Sequence, residues 1–131
     1  MSITPYEALG GEEALRHLVE RFYEHMDEDA EATTIRKMHP EDLARAQQRL
    51  FEFLSGWLGG PNLYWERHGH PRLRMRHLPF AIDAAARDAW MGCMRKALAE
   101  TVADDTLRAQ LDHALYGVAN HMRNQNEADE G

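Results

Sequence analysis

The chain has 131 residues, 44% of them hydrophobic and 28% charged, with a formal net charge of −7. This is the size and balance of one globular domain with a single core. The acidic surplus argues against nucleic acid and an anionic membrane surface as partners, because phosphate contacts need a basic face.

In chain order the sequence predicts helices. TPYEALGG (4–11) reads as a short helix with Thr4 as N-cap, Pro5 in the first turn and Gly10 just past the end. From Glu12 to about Asp27, Leu15, Leu18, Val19, Phe22, Tyr23 and Met26 form one apolar stripe at helical spacing. A second amphipathic helix is predicted from about Glu41 to Leu58, with Leu43, Ala46, Leu50, Phe53, Leu54 and Trp57 inward, stopped by Gly59, Gly60 and Pro61. Residues 62–79 show no clear helical period and read as an irregular middle, which in a compact domain is often functional. Asp83 then caps a helix carrying Trp90, Cys93, Met94, Ala97 and Leu98, and a last helix from about Asp105 to Met122 buries Leu107, Leu111, Leu115, Val118 and Met122.

The expected organisation is a single all-α domain over residues 1–131, with about 124–131 a frayed polar tail. The N-terminus lacks the pattern of a secretory signal, and no apolar run approaches the ~18 residues that span a bilayer. The one cysteine, Cys93, allows no internal disulfide and fits a cytoplasmic setting.

The stretch HPRLRMRHLPF (70–80) concentrates positive charge in this acidic chain. Arg72 to His77 alternates as a half-buried strand does, but a lone strand leaves backbone groups unpaired, so a short helix or turn is preferred. On one helical turn Leu73 and His77 share a face. Pro79 disfavours helix at Leu78 and leaves His77 near a helix C-terminus. There a histidine is favoured electrostatically as a surface or capping residue, and the arginines read as a solvated patch. Alternatively, an inward histidine beside guanidiniums suits a metal-bearing ligand with carboxylates. Haem is one: its iron takes an axial imidazole and its propionates pair with arginine.

Five segments, YEALGG, LVERFYEHM, RLFEFLSGWLGGP, GHPRLRMRHLPF and RDAWMGCM, stand in order along the chain. Together they make the sequence resemble the truncated haemoglobins, specifically group II, over roughly Tyr6 to Met122. The resemblance implies an all-α two-over-two helical sandwich, a shortened globin fold, with haem b as cofactor. It implies His77 as the proximal iron ligand, Tyr23 and Trp90 as distal groups, and His39 at the corner before the distal helix, with Met38 as the alternative occupant. It places Ala46 where ordinary globins carry a distal histidine. It implies Arg76 and Tyr64 near the propionates, and Leu50, Phe53, Leu73 and Phe80 against the cofactor.

On this resemblance Tyr23 offers an O–H, Trp90 an indole N–H and His39 a ring N–H to a polar ligand in a dry pocket. Without it, Tyr23 and Trp90 read as core residues on apolar helix faces, each with a polar atom that needs a partner. The implied partners are O2 and other small diatomic ligands, with a separate reductase for any redox cycle, in a monomer or homodimer. One alternative is a haem-dependent enzyme, peroxidase-like or nitric oxide-consuming, in which the small Ala46 eases access. Another is a haem-free helical interaction protein. A di-iron bundle is poorly supported, because no repeated Glu-x-x-His ligand set is present.

Overall fold

The structure is a computed structural model that describes residues 3–77 and 79–124; the side chains of Leu73 and Arg74 lie outside that description. Its α-helices are α1 (Pro5–Leu9), α2 (Glu12–Glu28), α3 (Thr33–Lys37), α4 (Ala44–Trp57), α5 (Leu63–His68), α6 (Leu73–His77), α7 (Ala84–Thr101) and α8 (Asp105–His121). A 3-10 turn at Ala30–Ala32 precedes α3, and there is no strand among the described residues.

The helix ends follow local chemistry. Thr4 Oγ1 accepts from the Glu7 N–H at 3.1 Å, and Pro5 opens α1, where a missing N–H costs nothing. Asp83 accepts from the Ala86 N–H at 2.8 Å, and Asp104 from the Thr106 and Leu107 N–H groups. Helix α4 starts at Ala44, three residues later than its hydrophobic pattern suggests. The Pro40 and Glu41 carbonyls accept from the Arg36 guanidinium, and the Asp42 carboxylate accepts from the Ala44 N–H. These side-chain bonds hold 40–43 in a turn.

α2 packs on both α4 and α7, and α7 packs on α8, so the α2–α4 pair lies over the α7–α8 pair. The core between them includes Leu15, Leu18, Phe22, Met26, Phe51, Leu54, Met91, Met94 and Leu98. The α4–α5 turn is pressed against the N-terminus. Gly59 has a φ of +91° with Thr4 close by, and a Cβ on Gly60 would stand 2.6 Å from the Tyr6 ring. Cys93 is wholly buried, and burial pushes its thiol up to about 11, so it stays protonated and inert.

Three sequence expectations need correction. The irregular middle contains the helix α5; a six-residue helix is too short to display a period. Trp57 is 36% exposed and stacks on Phe53, while the polar Glu52 and Ser55 are buried. Asn124, assigned to a frayed tail, is hydrogen-bonded into the fold at four points, while residues 125–131 lie outside the described residues.

Glu52 explains how a buried carboxylate is tolerated on α4. It is 2% exposed, and it accepts from Gln48 one turn back at 3.2 Å, from Arg67 and from His68 Nε2 at 2.8 Å. Burial alone raises its pKa, but the bonds from Arg67, His68 and Gln48 outweigh that and hold the carboxyl below its ordinary value. A depressed carboxylate stabilises the fold at pH above its unfolded value of about 4.3, and that contribution vanishes as pH falls through the lower folded value. Glu52→Ala should therefore cost about 1–3 kcal/mol at pH 7. The difference from the parent should shrink towards pH 3 in chemical denaturation. A difference independent of pH would show that packing, not the ion pair, holds α5 to α4.

Candidate functional site

The short helices α3, α5 and α6 close the rim of a cavity of about 400 Å³ that opens between the helix pairs. Ala46, Arg49, Leu50, Phe53 and Leu54 of α4 form one wall, with Tyr23 of α2 beside it. The corner before α4 contributes Met38, His39 and Pro40; α5 contributes Tyr64; α6 contributes Arg76 and His77. Phe80 and Ile82 of the following loop, Ala86, Arg87 and Trp90 of α7, and Leu115, Val118, Ala119 and Met122 of α8 complete it. The volume and the mostly apolar lining with few polar groups suit a small-molecule or cofactor site. The cavity also accounts for part of the α4 stripe. Leu50 and Phe53 are half-buried because they face this space rather than packed core.

Tyr23 is 6% exposed, and the nearest partner for its hydroxyl is the Ala46 carbonyl at 3.5 Å, long for an O–H···O bond. Burial pushes its pKa well above the usual phenol value, so it keeps its proton and remains a donor. The Trp90 indole N–H has no hydrogen-bond partner among the described residues. Phe22 braces both rings, edge-on to Tyr23 at 4.8 Å and tilted against Trp90 at 5.0 Å. Its place in the α2 stripe marked it only as core. The site thus holds two strong donors with room left at each, which is what a polar ligand needs.

His39 sits edge-on to Tyr23 with ring centroids 5.9 Å apart. Its Nδ1 lies 2.9 Å from the Ile35 carbonyl oxygen, which can only accept, so Nδ1 carries the proton. The neutral ring then has a lone pair, not an N–H, at Nε2. For the neutral ring this differs from the ring N–H donor that the resemblance implies. Arg36 fixes this corner through Asp27 at 2.8 Å and the carbonyls of Pro40 and Glu41.

At the other rim His77 ends α6, half-buried against the cavity. Arg76 is held by its Nε on the Pro71 carbonyl at 2.9 Å. Tyr64 is buried with its ring against Phe53 and His68. Phe80 lines the cavity while remaining 39% exposed. The expected contact of Leu73 falls on a side chain outside the described residues. His68 is turned to Glu52, and His70 accepts from the Arg72 N–H at 3.0 Å; neither lines the cavity. Arg49 does line it, and it has no ion pair or hydrogen bond among the described residues. Sequence reasoning passed over it, since one arginine on an amphipathic helix looks like surface.

The donor set fits haem: an apolar slot, an imidazole at its rim for iron, and guanidiniums of Arg49 and Arg76 in its lining for carboxylates. The family model described as bacterial-like globin matches residues 4–124. A group 2 truncated hemoglobin, YjbI, of Bacillus subtilis is 43% identical over 126 residues, covering 96% of this chain and 92% of that protein. The solved cold-adapted truncated hemoglobin of the Antarctic bacterium Pseudoalteromonas haloplanktis TAC125 superposes with a TM-score of 0.92. It is 49% identical and covers 95% of this chain and 100% of that one. A truncated oxygen-avid haemoglobin from Bacillus subtilis superposes with a TM-score of 0.85 at 41% identity, covering 93% of this chain and 100% of that one.

Proposed function

This chain belongs to the bacterial-like globin family, among the group II truncated haemoglobins, and from that premise we propose that it holds haem b on His77 and binds O2. Haem binding and an affinity for small diatomic gases are what membership of the family implies. The finer reading assigns roles to individual residues. The observation that carries it is that His77, Tyr23 and Trp90, far apart in sequence, line one cavity.

When bound, haem would supply an iron that takes an imidazole ligand and binds a small gas. His77 offers an imidazole nitrogen at the cavity rim, and Arg49 and Arg76 are the guanidiniums assigned to the propionates. Leu50 and Phe53 give the slot apolar walls, and a low-dielectric surround strengthens polar contacts inside it. Tyr23 and Trp90 bring an O–H and an N–H to the cavity lining, and Ala46 adds only a small side chain from α4. Donors of this kind favour a ligand that accumulates negative charge and slow its release. The printed description of the Bacillus subtilis relative as oxygen-avid accords with this reading. It suits sensing or redox chemistry better than bulk delivery.

The orientation of His39 favours a second reading, a redox enzyme in the same pocket. A neutral ring with its proton on Nδ1 has a basic Nε2, the group needed to take a proton from a peroxide substrate. One reconstituted sample tests both. Stoichiometric O2 and CO spectra of the ferrous protein, with peroxide turnover no faster than free haemin, would favour ligand binding alone. Turnover well above haemin that falls in His39→Leu would favour the enzyme. Absence of any gas-dependent spectral change would refute the first reading.

A further inference from the structure

We infer that Asn124, just beyond the end of α8, is a positioning residue for the proximal histidine. The inference rests on the reading of His77 as the iron ligand.

The backbone after His77 has a problem to solve. α6 ends there, so its last carbonyls lack helical partners, and the Pro79-containing segment that follows cannot continue the helix. Buried or half-buried backbone groups need partners. Asn124 supplies them from 42 to 47 residues away in sequence. Its Nδ2 donates to the Phe80 carbonyl at 2.7 Å and to the His77 carbonyl at 3.2 Å. Its Oδ1 accepts from the Ile82 N–H at 2.9 Å, and its own N–H donates to the Ile82 carbonyl at 2.9 Å. The His77 carbonyl also accepts from the Phe80 N–H at 3.0 Å, so this carbonyl joins the loop to the end of α8.

One planar amide thus ties His77, Phe80 and Ile82 together. Only a group with two donors and an acceptor on one head can do this. Of the residues it ties, His77, Phe80 and Ile82 all line the cavity. α8 is itself anchored in the core through Leu107, Leu111 and Leu115. Asn124 therefore transmits the rigidity of the long helix to a five-residue helix that has little of its own. A ligand held in this way keeps its ring orientation when the cavity fills or empties.

The test uses the full chain with Asn124→Asp, which keeps the oxygen for Ile82 but sets carboxylate oxygens against two carbonyls. Asn124→Ala, which deletes the amide without repulsion, is the second variant, and His121→Ala, exposed on the same last turn, is the control. In the haem-free protein, amide exchange at Ile82 should quicken about tenfold or more in Asn124→Ala, as expected for losing about one hydrogen bond. In the haem-loaded ferrous protein the iron–histidine stretching band should shift or broaden. Haem transfer to an excess of a scavenging apo-globin should also accelerate about tenfold. His121→Ala should match the parent in all three. Unchanged exchange at Ile82 would overturn the clamp. Faster exchange with an unaltered iron–histidine band and haem transfer would overturn its positioning role. Failure of the parent chain to take up haem would overturn the reading beneath it, and is told apart because it precedes any substitution.

Discussion

In His77→Ala the sharp Soret absorption of the haem-loaded protein should disappear or shift strongly, and haem should be lost far faster than from the parent. Removing a group that merely supports a metal ligand typically weakens binding roughly 10–100-fold, so removing the ligand itself should exceed that. The cavity retains its apolar walls in this variant, and the space left at the rim suits a free imidazole. Added imidazole should therefore restore much of the parent spectrum, which a variant that had simply unfolded would not allow. An unchanged spectrum in His77→Ala would exclude this residue as the ligand and direct attention to His39, the other histidine that lines the cavity.

The second large effect concerns the donors. Tyr23 keeps its proton because burial raises its pKa, and its alternative partner, the Ala46 carbonyl, is distant at 3.5 Å. A hydrogen bond to a charged or strongly polar acceptor contributes about 1.5–3 kcal/mol, and ~1.4 kcal/mol is tenfold in an equilibrium or rate. Tyr23→Phe and Trp90→Phe should each accelerate oxygen release by roughly ten- to a hundredfold in flash photolysis or stopped flow. Carbon monoxide, a weaker hydrogen-bond acceptor, should respond much less. Equal changes for both gases would point to an altered channel instead of lost donors. The two substitutions need not add, because Phe22 braces both rings and couples their positions.

The long helices were legible in the sequence because their causes are local. The α2 stripe, the Thr4–Pro5 start, the glycines after α4 and the Asp83 cap are periodicity and capping, written within a few residues of where they act. The grouping of His77, Tyr23 and Trp90 was legible only through the family resemblance, since nothing local brings α2, α6 and α7 together. What escaped is non-local. Glu52 sits on the buried side of α4 only because α5 folds back with Arg67 and His68, and α5 itself carries no period. Arg49 lines the cavity by the pitch of α4, and Asn124 reads as tail until the loop it completes is in place. The proton on His39 depends on where the Ile35 carbonyl points, which no side-chain pattern records.

The most direct measurement is a titration of the haem-free chain with haemin, followed by reduction, with visible spectra throughout. The account predicts saturation at one equivalent, a sharp Soret band, and quenching of tryptophan emission, since Trp90 lines the site. The reduced form should have the spectrum of a histidine-ligated ferrous haem that changes on exposure to oxygen. A chain that stays colourless, or takes up haemin without saturation and with equal ease in His77→Ala, would contradict it.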